Sequence, residues 1–211
     1  MCLIGGYTMR NLRSLFDVNK TIQVAAFFLK QSGLKVCPGI SHLKLLKLLY
    51  LANRTSLREN ATLIVFDRAY ALPNGPILST VYNLIKKDHP QMYAWQQCIE
   101  TGWHNVFLKK DVVNDELSPF EEKILHSVSC EYGNMTDKEI ICATHELPEW
   151  KKYESRLLSA NNRRSYHIEL RDIVDAIVKE TNDILLWERV KKKIAGVEIN
   201  NSIILNEHKV G

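Results

Sequence analysis

"HLKLLKLLYLANR", residues 42 to 54, sets leucines around most of the circumference of a helix. Leu45, Leu48, Leu49 and Ala52 recur at helical spacing and mark a core stripe. Leu43, Leu46 and Tyr50 widen that stripe, so the spacing predicts a helix at the centre of the fold. Lys44 and Lys47 then have to reach solvent. Ser41, directly before the run, is placed to cap the exposed amides of the first turn.

Upstream, "KTIQVAAFFLKQS" (20 to 32) puts Ile22, Ala25, Ala26 and Leu29 on one helical face and stops near Gly33. Downstream, "ATLIVFDRAYAL" (61 to 72) is β-rich and loosely alternating, which predicts a short strand or hairpin arm. A turn at Pro73, Asn74 and Gly75 follows. Pro76 suits the first position of a new helix, with Ile77, Val81, Leu84 and Ile85 on its face and Lys86 and Lys87 near the negative end of its dipole.

Residues 88 to 116 mix aromatics with turn residues, and only "NVFLK" (105 to 109) suggests a strand. The local signals then sharpen. Ser118 with Glu121, and Thr136 with Glu139, are two capping boxes; Pro119 sits at the first helical position, and Met135 with Ile140 is placed as a hydrophobic staple. The first of these helices should stop at Gly133 and the second near Leu147, before Pro148. "EWKKYESRLLSA" (149 to 160) restarts a helix. "YHIELRDIVDAIVKETNDILLWERVKKK" (166 to 193) reads as one long final helical stretch with Ile168, Ile173, Val174, Ile177, Ile184 and Leu185 near one face, followed by a loose tail. The expected fold is therefore mainly α: a compact helical domain of five to seven helices with one short β-hairpin or strand element.

The 211 residues, 45% hydrophobic and 25% charged, suffice for a real core, and a net charge of +4 spread along the chain neither demands nor excludes nucleic acid. The five cysteines are odd in number, widely spaced and never paired as C-x-x-C, which argues against a secreted disulfide framework. The N-terminus lacks the charged and apolar regions of a signal peptide, and no run nears the ~20 apolar residues that span a bilayer. A cytoplasmic protein, without membrane association, is the expectation.

No motif carries chemistry. "THELPEW" has His145 and Glu146, but Glu149 stands where a zinc-protease helix needs its second histidine, and Pro148 breaks that helix. His145 therefore reads as a capping or packing residue, and no metal or cofactor is expected. Cys130 and Cys142 fall within amphipathic patterns, where a small buried thiol is the expectation, although a spatial Cys/His pair stays open. Phosphate-cradling glycine loops and the G-x-S-x-G elbow are missing from the sequence. Basic stretches at "NNRRSYH" and "RVKKK" come without a zinc finger or an RNA-binding aromatic motif, so nucleic acid is the weaker expectation.

Three ordered segments resemble one family. "HLKLLKLLYLANR", then "VFDRAYALPNGPILSTVY" (65 to 82), then "LSPFEEKILHSVSCEYGNMTDKEIICATHELPEWKKY" (117 to 153) is similar to the Panacea, or SocA-like antitoxin, domain of bacteria and phages. Lys47, Leu48, Leu49 and Tyr50 match its K-L-L-Y helix; Phe66, Gly75, Pro76, Val81 and Tyr82 its G-P segment; Leu117, Ser118, Glu121, Thr144, His145 and Trp150 its last motif. The family usually carries an aromatic before a short Tyr-Gly-Pro turn, whereas this chain has Tyr70 and then Ala71, Leu72, Pro73 and Asn74.

The resemblance implies a helical antitoxin, not an enzyme, that binds a cognate protein toxin encoded nearby, with a protease or chaperone as a further partner. It implies an N-terminal extension over 1 to 19, the antitoxin domain over 20 to 155, a helical region over 156 to 195 packed on it, and a tail over 196 to 211. Tyr50, Tyr70, Pro73, Asn74, Gly75, Pro76, Tyr82, His145 and Trp150 become the candidate partner-binding residues. Against that, Tyr50, Tyr82 and Trp150 also suit the core, where regularly spaced helical aromatics usually pack. A nucleic-acid-binding regulatory module and a Cys/His-dependent hydrolase are the alternatives.

Overall fold

The leucine-rich helix, α2 (His42–Asn60), is the axis of the molecule, packing against helices and hairpins on nearly every side. In the computed structural model, residues 15–31, 39–159 and 164–207 are described. The expected extension as far as residue 14, the stop at Gly33, Cys2, Cys37, part of "NNRRSYH" and the last four residues of the tail lie outside them. α1 (Val18–Gln31) buries Ile22, Ala25, Ala26 and Leu29, as its spacing predicts, and Asp17 accepts from the amides of Asn19 and Lys20 at its start. Ser41 caps α2 by accepting from the Lys44 amide at 3.0 Å.

Two small antiparallel sheets flank this axis. β1 (Ile40–Ser41) pairs with β5 (Asn105–Leu108), which pairs with β4 (Ile99–Thr101). The other sheet has order β3-β2-β6: β2 (Ala69–Leu72) and β3 (Gly75–Leu78) form the hairpin, and β6 (Tyr166–Ile168) joins β2 from far along the chain. Helices α3 (Ser79–Ile85) and α4 (Met92–Cys98) lie between β3 and β4 in sequence.

Both capping boxes form with their reciprocal hydrogen bonds, starting α5 (Pro119–Tyr132) at Ser118 and α6 (Asp137–His145) at Thr136. Pro148 opens α7 (Pro148–Leu158), and Gly133 ends α5. α8 (Leu170–Thr181) packs on α2 and α7.

Mainly α is correct, with 62% helix, but the expected count is not: the described residues form nine helices and two three-stranded sheets. Four departures have local causes. Pro76 lies in β3, and α3 starts three residues later, because the buried Asp67 carboxylate accepts from the Thr80 and Val81 amides and fixes the helix start there. The illegible stretch holds α4 as well as β4 and β5. The long final stretch is divided: Ile168 lies in β6, and Asn182, left-handed at φ 58°, ends α8. Ile184 and Leu185 consequently fall in the link and are exposed, not on a core face. Finally, α9 (Leu186–Glu207) continues through most of the expected tail.

Candidate functional site

Lys47, Tyr50 and Arg54 follow one another at i, i+3 and i+7 along α2, one face of the helix, and all three are buried. Lys47 was expected in solvent but is only 1% exposed. Its ammonium donates to the Pro76 carbonyl at 2.7 Å, and among the described residues no ion pair includes it. Burial pushes it well below the usual lysine range.

One turn on, the Tyr50 hydroxyl donates to Glu149 at 2.9 Å, and Arg54 Nε donates to the same carboxylate oxygen at 2.7 Å. Arg54 also reaches Glu180 of α8 at 2.6 Å. Burial, and then the Glu149 charge, push the Tyr50 phenol well above its usual value. Burial alone would lower the Arg54 guanidinium, but Glu180 and Glu149 outweigh it and hold it above its usual range. A buried acid with two donors thus joins α2 to α7, and the Arg54–Glu180 ion pair ties α8 to the same cluster.

The turn between β2 and β3 is gripped from the same side. The Trp150 indole, fully buried, donates to the Leu72 carbonyl at 2.9 Å. The His145 ring stacks on it with centroids 3.8 Å apart and planes within 7°. Burial, then the Lys47 charge, lower the His145 imidazole against the opposing Pro73 backbone. Gly75 is left-handed at φ 95°, and a Cβ there would lie 2.6 Å from Lys47 Nζ and 2.7 Å from Thr144 Oγ1. Glycine is required at this point both by backbone angle and by space.

The candidate partner residues therefore separate into two groups. Tyr50, Gly75, Pro76 and Trp150 are buried, so the side chains of Tyr50 and Trp150 position the hairpin and α7 rather than face a partner. Tyr70, Pro73, Tyr82 and His145 are half-buried, and Asn74 is exposed. Tyr70 lies against His167, with ring centroids 5.3 Å apart, while the Lys86 ammonium lies 5.7 Å from the Tyr82 ring centre.

In front of the gripped turn opens a cleft of about 250 Å³. Leu43 and Leu46 of α2 form one wall, Leu72 and Ile77 of the hairpin another, and Tyr82 and Ile85 of α3 a third. Its basic residues are His42, Lys47 and Lys86, and no Asp or Glu is among its lining residues. Burial is the main reason the His42 imidazole lies below its usual value, and the Lys86 charge adds to that. The sequence pointed to Asn74, Gly75 and Tyr82 here, but not to His42 or Lys86.

Residues 45–151 match the family model "Antitoxin SocA-like, Panacea domain", a little over half of the chain. The chain belongs to this family. No curated protein and no solved structure matches it. The G-P and T-H-x₄-W motif residues of the Panacea domain, with Lys47 and Tyr50, meet in one place: they hold the β2–β3 turn and α7 to α2. β6 and α8, beyond the matched span, complete the sheet and the acid–base cluster.

The alternative chemistry finds a different setting. Cys130 and Cys142 are exposed rather than buried, because each lies on the outer side of its helix. Cys130 Sγ is 3.8 Å from His126 Nε2, one turn away on the exposed face of α5, and neither residue lines the cleft. Among the described residues no group of three histidine, cysteine or acidic side chains is placed to hold a metal ion, and no helix is long and apolar enough to cross a membrane.

Proposed function

We propose that this chain is the antitoxin of a bacterial or phage toxin–antitoxin pair, and that it neutralises a cognate protein toxin by direct binding in the cytoplasm. Its Panacea domain supports an antitoxin role. The observation that carries the finer reading is the architecture around the cleft: Lys47, Gly75, Thr144, His145 and Trp150 fasten a hairpin from behind, leaving in front a rigid surface of apolar walls beside the exposed Lys86. Preorganised surfaces of this kind serve binding, because little freedom is lost when a partner arrives. The chain acts in this reading as a stoichiometric inhibitor, without catalysis.

Co-expression with the product of the adjacent gene tests the proposal. That product alone should arrest growth, this chain should restore it, and the two should co-purify as a complex. A neighbour that is harmless alone, or a toxic one that this chain neither rescues nor binds, would remove the reading.

A further inference from the structure

Trp103 is 90% exposed, the most exposed of the large hydrophobic side chains among the described residues. It sits at the tip of the β4–β5 hairpin, in a turn closed by the Gly102 amide donating to the Asn105 carbonyl at 2.9 Å. The three other residues of that turn all touch His42 at the start of α2. The His42 amide donates to the His104 carbonyl at 2.9 Å, and the His42 imidazole meets the backbone of Gly102 and Asn105. His42 is itself a wall of the cleft, so the turn that carries the exposed indole is fastened to one of the cleft's lining residues.

We propose that the cleft and Trp103 together form a docking site for a protein segment that carries an acidic side chain beside a bulky apolar one. This rests on the antitoxin reading above and names the chemistry that the partner presents. The charge argument is complementarity: the exposed Lys86 ammonium stands at the mouth of the cleft, and no carboxylate is among its lining residues. A carboxylate would meet the exposed Lys86 ammonium, while the buried Lys47 stays bonded to the Pro76 carbonyl. The apolar side chain fits between Leu43, Leu46, Ile77 and Ile85, since about 250 Å³ suits one large side chain rather than the ~300 to 1,000 Å³ typical of drug-sized ligands. Trp103 lies outside the cavity, where a free small acid would not reach it. A peptide chain extending from the cleft over the turn fastened to His42 would cover it, and a covered tryptophan is among the strongest anchors of protein interfaces.

The test uses the full chain and two exposed positions whose replacement spares the core, W103A and K86E, with thermal melts to show that both fold. A random peptide library displayed on phage is panned on the wild type and counter-selected on the double variant. Selected peptides should pair Asp or Glu with Leu, Phe or Trp. As synthetic peptides they should lose about tenfold or more in affinity on either variant, and weaken with added salt. Peptides without acidic bias, or peptides that bind both variants as tightly as the wild type, would overturn the proposal. The purified neighbouring toxin supplies a second arm: equal binding to wild type and double variant places it on another face and overturns this docking site while leaving the antitoxin role intact. A neighbour that does not bind the wild type at all removes the antitoxin role, and the peptide selection then decides the docking site alone.

Discussion

In the β2–β3 hairpin the turn is held by side chains from behind: Lys47 bonds the Pro76 carbonyl, Trp150 the Leu72 carbonyl, and Thr144 closes on Gly75. In the β4–β5 hairpin the turn is fastened to His42 mainly through backbone groups, and its Trp103 projects into solvent. The first lines the cleft, and the second is joined to it through His42, one of the lining residues. The gripped hairpin carries the residues by which the Panacea family is recognised, whereas the other carries the aromatic best placed to meet a partner. A family's motif can therefore describe how a surface is supported, while in the docking site proposed above a residue outside the motif meets the partner.

The contrast is broken most severely at Trp150. Trp150→Ala removes a fully buried indole, its bond to Leu72 and the stack with His145, and should cost roughly 3–5 kcal/mol in urea unfolding. A loss below about 1 kcal/mol would mean that the turn is not held from behind.

The glycines of the two turns offer a direct comparison. Gly75→Ala forces a left-handed backbone and a clash with Lys47 and Thr144, and should cost about 1–3 kcal/mol. At Gly102 the φ is not left-handed and the nearest atoms to a Cβ are 3.3 Å away, so Gly102→Ala should cost clearly less by the same assay. Equal losses would erase the distinction.

The two histidines sharpen it further. His145 behind the first turn and His42 beside the second both titrate below their usual 6.5 when folded. Below 6.5 the unfolded chain takes up protons that the folded chain resists, so stability should be complete above 6.5 and decline as pH falls through the window beneath it. Denaturation curves across that window for His145→Phe and His42→Phe should each show a shallower decline than the wild type. A wild-type stability that rises on acidification would contradict both shifts.

Trp103→Ala should have the smallest effect, within about 0.5 kcal/mol in thermal or urea unfolding, because the exposed indole buries nothing. A larger loss would give it a structural role and make the two hairpins alike.

Much of the frame was legible because its causes are local. The capping boxes at Ser118 and Thr136, the Ser41 cap and the buried faces of α1 and α2 follow from residues three or four apart, the span over which a helix satisfies its own ends. Pro76 misled because its helix-starting geometry was overruled by Asp67 and by pairing with β2. Of the cleft, the sequence identified its hairpin and Tyr82, but His42 and Lys86 meet through the packing of α3 on α2, and the Trp103 turn reaches His42 through pairing of β1 with β5. The one signal for Trp103 was a tryptophan amid the turn residues of "TGWHN".

By itself the sequence determined the class, the central helix, the family and the capped helix starts after Ser41, Ser118 and Thr136, because spacing and capping act within a few residues. Tertiary structure alone decided that Lys47 is buried against a carbonyl instead of solvated, that Tyr50 and Trp150 support rather than face a partner, and that the Trp103 turn is joined to the cleft through His42. Each of those outcomes depends on groups far apart in the chain, where burial and long-range pairing outweigh any local preference.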